Sequence, residues 1–269
     1  MKKQNLPIAF FDSGVGGISV LREAVKLLPH EDYLFFGDSA NAPYGTRPRE
    51  EILHLTLGHA KRLYERGIKA LVIACNTATS AAINDLRKIY TDIPVIGIEP
   101  ALKPAALMSP HPTVIVMATP LTVSAQKFHD LLGHYADQAK VIPLGCPGLM
   151  EYVESGNIDG PEVISYLKEL LSPYLEREPV DAIVLGCTHY PFVAQAIRRI
   201  SGEHVRIFDG GPGTVRELRR RLTVEGLLTD SSARGTVTFE NSIPEKTALC
   251  KMLLSGSLPG SRFSESAQK

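Results

Sequence analysis

Neither sign of charge predominates in this 269-residue chain, where 29 lysines and arginines face 29 aspartates and glutamates. A protein dedicated to nucleic acid needs a basic footprint that displaces counterions, so no nucleic-acid partner is expected. The densest basic stretch, Arg219-Arg220-Arg221, reads as one face or end of a helix. Nowhere do about eighteen apolar residues run uninterrupted, which removes the expectation of a membrane span. Residues 1–7 have a charged start but no apolar stretch before a small-residue cleavage site, so a cytoplasmic protein is expected rather than an exported one. Cysteine is scarce, and Cys75, Cys146, Cys187 and Cys250 lie far apart without a C-x-x-C pair. Neither a disulfide framework nor a structural zinc site is expected from that pattern, and no metal is called for.

What is present is an ordinary globular composition, 44% hydrophobic and 22% charged, in a chain long enough for one large or two smaller domains. Short apolar runs alternate with longer amphipathic ones, the pattern of a parallel α/β sheet. Strands are expected at 8–11, 33–37, 70–74, 95–98, 114–118, 140–144, 182–185 and 205–208. Helices are expected at 18–28, 48–66, 80–89, 123–132, 160–174, 191–200 and 214–222. From about Ser255 a Gly/Ser-rich tail with charged ends reads as a mobile terminus.

The chain also repeats itself. Residues 70–77 match 182–189 almost position for position, and Cys187 follows Cys75 by 112 residues (187 − 75). The run starting at Ile8 has a counterpart at Val114, and the one at Val95 has a counterpart at Val205, at offsets of 106 and 110. Chance likeness among apolar strands is the plainer explanation of any one match. Three at similar offsets point instead to two α/β halves related by duplication about a pseudo-twofold axis.

Each half then places a cysteine directly after a strand, at the carboxyl edge where open parallel sheets bind ligands. A helix N-terminus there is expected to favour the thiolate and lower the thiol pKa from about 8.5. The residues that follow, Asn76-Thr77 and Thr188-His189, offer donors to a ligand carboxylate. One such cysteine alone is more often a small buried residue. Two in equivalent positions, facing each other across an axis, suit inversion at a Cα: one thiolate removes a proton and the opposite thiol supplies another. The first turn, Asp12-Ser13-Gly14-Val15-Gly16-Gly17, lets backbone approach an anion closely but fits neither the dinucleotide nor the phosphate-loop fingerprint. Asp12 could hold a substrate ammonium or assist a thiol, or be an ordinary turn aspartate. Cys146 and Cys250 read as structural, and every histidine except His189 as surface residues.

Taken together, Phe11 to Gly17, Pro43-Tyr44-Gly45, Ala74-Cys75-Asn76-Thr77-Ala78 and Gly186-Cys187-Thr188-His189-Tyr190-Pro191 resemble the glutamate racemase family, over about residues 7–225. The resemblance implies two flavodoxin-like domains that clasp a glutamate between them, with no cofactor and no metal. It implies Cys75 and Cys187 as proton donor and acceptor. Asp12, Ser13, Tyr44, Gly45, Asn76, Thr77, Thr188 and His189 fall on its substrate-contacting positions, with Asp12 supporting Cys75 and His189 supporting Cys187. An auxiliary glutamate falls on Glu154, although Gly148 and Glu151 depart from the family pattern and leave Glu151 as an alternative.

The first domain is expected to comprise 1–99 with 207–269 and the second 100–206, with the active site in the cleft between them. The chain leaves the first half near Glu99-Pro100 and returns near Asp209. The expected reaction interconverts L- and D-glutamate and would feed peptidoglycan synthesis. Racemisation of aspartate or another acidic amino acid is the alternative within enzymes, and a non-catalytic acidic amino-acid binding protein the alternative outside them. A homodimer is the expected assembly.

Overall fold

The computed structural model describes residues 2–258. Its strands are β1 (Ile8–Asp12), β2 (Tyr33–Gly37), β3 (Ala70–Ile73), β4 (Val95–Gly97), β5 (Thr113–Ala118), β6 (Lys140–Gly145), β7 (Ala182–Leu185), β8 (Arg206–Asp209) and β9 (Val237–Asn241). They form two all-parallel sheets, in the orders β4-β3-β1-β2-β9 and β6-β5-β7-β8. Every residue of β1, β2, β3 and β7 is buried, because helices cover both faces of a parallel sheet and the strands need no polar side.

Successive side chains of a strand enter different cores. Ile8, Phe10, Tyr33 and Phe35 join one that also holds Ile115, Met117, Ile183 and Leu185 of the second sheet. Ala9, Phe11, Leu34 and Phe36 face a second core with Ile52, Ala82 and Leu86, from the helices Arg49–Glu65 and Asn76–Ile89. The first core therefore ties the two sheets together. Cutting Phe10 or Phe35 back to alanine would cost roughly 3–5 kcal/mol.

Read outward from β4 and from β8, the sheets run β4-β3-β1-β2 and β8-β7-β5-β6. Each strand of the first is answered by the strand four later in the second, the correspondence that the sequence offsets require. The order places a topological switch between β1 and β3, and another between β5 and β7. Asp12 and Cys75 lie at the carboxyl ends beside the first, and Cys187 beside the second.

Several expectations need correction. β9 has no counterpart among the expected strands; its half-exposed Val-Thr-Phe-Glu-Asn sequence pairs with β2 as an edge strand. The helix expected over 123–132 is two, Pro120–Ser124 and Gln126–Gly133, broken where Ala125 turns extended. The helix after β3 starts at Asn76, directly behind Cys75. β8 stays in the second sheet as far as Asp209, past the expected boundary at 206/207. The chain then packs helix Gly211–Val224 on helix Ile18–Leu27. Ser255 ends helix Lys246–Ser255, and Leu258 is buried in the shared core; the rest of the expected tail lies outside the described residues. No helix of the described residues is long and apolar enough to cross a membrane.

Candidate active site

Cys75 caps the helix Asn76–Ile89. Its extended backbone ends the strand run, and its Sγ accepts the Ala78 N–H at 3.4 Å. Ser13 Oγ lies 3.3 Å from the same sulfur. The expectation of a lowered pKa fails at this residue. Cys75 is 5% exposed, and burial pushes its thiol up to about 12. The Asp12 charge adds to that rise, and the contacts from Ser13 and Ala78 offset it only in part. One long N–H contact from a helix end is weaker than the loss of water. A negative charge at Cys187 would add least to the rise at Cys75.

Cys187 follows β7, but its turn enters a short 3-10 segment, Tyr190–Val193, before helix Ala194–Ser201. Its neighbour is His189, whose Nδ1 lies 3.7 Å from the sulfur. His189 Nε2 lies 2.9 Å from Glu154 Oε1. An ionised carboxylate only accepts, so Nε2 carries the proton and Nδ1 faces the thiol. Burial alone would lower the histidine pKa; its contacts with Cys187 and Glu154 raise it well above the ordinary value. Burial also works against the Glu154 charge, but His189, the Val15 N–H and Lys246 hold this carboxyl down at about 2. Of the two candidate glutamates on helix Leu149–Glu154, Glu154 is the one that meets His189, while Glu151 is exposed.

The first glycine loop serves this second-half chain. Val15 N–H donates to Glu154 Oε1 at 2.7 Å, so the anion at the loop is one of the protein's own carboxylates. A Cβ at Gly16 would stand 2.4 Å from His189 Nδ1, and one at Gly14 would stand 2.0 Å from Glu154 Oε1. The residues are glycine because a histidine and a glutamate from the other half occupy that space.

Asp12 is fully buried, which raises its pKa against the lowering effects of His189, Gly14 and Thr188. Its Oδ2 accepts from Thr188 Oγ1 at 3.0 Å and its Oδ1 from Gly14 N–H at 2.8 Å. Asp12 thus bridges the halves toward the Cys187 side and reaches Cys75 only through its charge. Asn76 is buried with Oδ1 unpartnered. Thr77 Oγ1 sits 3.2 Å from Thr119 Oγ1 and 3.3 Å from Thr122 Oγ1. Gly45 packs so closely on Thr119 that a Cβ would lie 2.7 Å from it. Tyr44 turns its hydroxyl to Asp38 Oδ2, 2.7 Å away. Asp38 also holds His59 Nε2 at 2.9 Å, and that ring stacks on Phe11 and tilts against Phe36. His59 is therefore no surface residue, contrary to expectation.

Sequence reasoning passed over Ser39, Thr119, Thr122 and Lys246. The repeat could have found Thr119, which follows β5 as Ser13 follows β1, at the same offset of 106. Nothing local marks Lys246. All four cysteines are free and buried, and burial pushes both Cys146 and Cys250 up to about 12. Among the described residues, no group of three or more His, Cys, Asp or Glu could hold a metal ion.

Comparison with known proteins adds the chemistry of relatives to this geometry. The profile of the Asp/Glu/hydantoin racemase family matches residues 16–218. The glutamate racemase of Clostridium perfringens is 51% identical, over 91% of this chain and 94% of its own length. The crystal structure of the Francisella tularensis glutamate racemase in complex with D-glutamate superposes with a TM-score of 0.81 at 31% identity, covering 94% of each chain. That of the Escherichia coli enzyme, in complex with L-glutamate and an activator, gives 0.82 at 31% identity over 93% of this chain and 95% of that one. With the strand order, the paired cysteines and these relatives in agreement, the chain belongs to the Asp/Glu/hydantoin racemase family, in its glutamate racemase branch.

Proposed function

We propose that the protein interconverts L- and D-glutamate without a cofactor, using Cys75 and Cys187 on opposite faces of the substrate Cα. The observation that carries this reading is the pair of buried thiols at equivalent strand ends, with Ser13 on Cys75 and its neighbour Asp12 bonded across the halves to Thr188, the neighbour of Cys187. One thiolate takes the Cα proton. The pair of electrons left on carbon is spread into the substrate carboxylate, and the thiol opposite delivers its own proton to the other face. The S–H bond formed on one side balances the one broken on the other, and solvent exchange resets the pair.

The two thiols reach their reactive states differently. A thiolate of raised pKa at Cys75 is a strong base toward a weakly acidic Cα–H. At Cys187, the raised proton affinity of His189 suits Nδ1 to take and hold the thiol proton, with Glu154 stabilising the imidazolium. The buried carboxylate of Asp12 and the unpartnered Oδ1 of Asn76 are suited to the substrate ammonium. The backbone N–H groups opening helix Asn76–Ile89, with Ser13, Thr77 and Thr188, suit its carboxylates. Gly45 closes the site against Thr119, and Tyr44 beside it is buried with its hydroxyl on Asp38. The D-glutamate formed would serve peptidoglycan synthesis in the cytoplasm.

Polarimetry with L-glutamate, no added cofactor and a chelator present tests the reading. Decay of rotation to zero is the expected result, with full loss after thiol alkylation. Inhibition by the chelator that added metal reverses would overturn it, and preference for L-aspartate would reassign the substrate.

A further inference from the structure

Glu154 is held from outside its own half by a cation. Lys246, the first residue of helix Lys246–Ser255, places Nζ 3.4 Å from Glu154 Oε2 and donates to the Glu154 main-chain carbonyl. That carbonyl belongs to the last residue of helix Leu149–Glu154, where the helix itself supplies no partner. The same C-terminal segment sends Asn241 Nδ2 to Ser39 Oγ at 3.0 Å, and Ser39 Oγ donates to Glu154 Oε2 at 3.4 Å. Oε1 is committed to Val15 and His189, so Oε2 takes its hold from Lys246 and Ser39. The ammonium thus fixes both the carboxylate and the helix end that carries it.

We infer that Lys246 is a positioning residue for the proton transfer at Cys187, acting by locking Glu154 onto Nε2 of His189. This assignment rests on the two-thiol reading and deepens it. A segment beginning at β9, which the sequence pattern left unassigned, thereby supplies a working part of one thiol's machinery. Without Lys246, the Glu154 helix end and carboxylate lose two contacts. The imidazole then no longer meets Cys187 at its working angle, and displacements of an ångström at a reacting group have large effects on rate. Among the described residues, no hydrogen bond or ion pair joins Cys75 to this chain of groups, and it keeps its own contacts with Ser13 and Ala78.

The test uses the full-length enzyme with Lys246→Met, Lys246→Gln and Lys246→Arg. Because the equilibrium constant is fixed, kcat/KM must fall equally in the two directions, on the order of tenfold for Met. The distinguishing readout is the isotope effect with Cα-deuterated L- and D-glutamate. It should grow for the enantiomer that Cys187 deprotonates and shrink for the other, because the Cys187 step has become the slow one. Lys246→Arg should restore both rate and isotope effects. In a Glu154→Gln background, Lys246→Met should cost much less, since only the main-chain contact then remains to lose. If Met lowers the folded yield, Gln carries the same isotope measurement. Unchanged or equally changed isotope effects in the Lys246 variants would overturn the assignment, as would an undiminished loss in the Glu154→Gln background. A Cys187→Ser enzyme that still racemises would instead sink the two-thiol reading beneath it.

Discussion

Cys75 and Cys187 stand at the same point of two sheets with the same strand order, yet their surroundings have little in common. Cys75 caps a 14-residue helix and touches a serine hydroxyl and one backbone N–H, with no histidine at hand. Cys187 meets a histidine, a glutamate and, behind them, a lysine. Duplication gives the pair its symmetry of position, and the flanking residues remove the symmetry of chemistry. In the proposed mechanism the two thiols do the same job by different means: one as a desolvated strong base, one through an imidazole that shares its proton. Each half also depends on the other, since the loop beside Cys75 seats His189 and Glu154, and Asp12 reaches across to Thr188.

The comparison is broken most severely by removing either sulfur. Cys75→Ser and Cys187→Ser should each lower turnover by roughly 10³-fold or more in polarimetric assays, because a serine hydroxyl is a far weaker acid. A comparable residual rate in either variant would mean that the two ends are not both required. His189→Asn should cost about 10²-fold and redistribute the isotope effects so that the Cys187 step dominates. Equal effects in both directions would place His189 outside the Cys187 half. Gly16→Ala should reproduce most of that loss, since the new Cβ displaces the imidazole, while a thermal melt shows the fold retained. Wild-type kinetics in this variant would show that the loop does not fix His189.

The smallest effects are on stability, and they have opposite signs at the two ends. Glu154 titrates at about 2 in the folded protein against an ordinary 4.5, so the stability it contributes is complete above 4.5 and lost as the pH falls toward 2. Cys75 at about 12 keeps its proton while an unfolded chain loses it above about 9, so stability falls as the pH rises from 9 toward 12. Urea titrations across both ranges should lose part of the acid slope in Glu154→Gln, where Asp38 at about 2 still contributes, and part of the alkaline slope in Cys75→Ser. Slopes identical to wild type would show that neither group is shifted by folding.

Much of this was legible in the sequence, for identifiable reasons. Strands buried on both faces read as continuous apolar runs, which is why 33–37 and 182–185 coincide with β2 and β7. The repeat exposed the two sulfurs because strand, turn and cysteine recur together. β9 escaped because an edge strand needs no such run, and with it went the segment that carries Lys246. The thiol pKa at Cys75 was misjudged because a helix N-terminus is visible in sequence and burial is not. His59 was misread for the same reason: its partners Asp38, Phe11 and Phe36 come together only in the fold.

The claim that two separate thiols act on opposite faces is tested most directly by isotope incorporation. Starting from L-glutamate in heavy water, the earliest D-glutamate formed should carry deuterium at Cα, because the delivering thiol has already equilibrated with solvent, while unreacted L-glutamate stays largely protiated. D-glutamate that retains the original protium would mean that one group both removes and returns the proton, and would contradict the account.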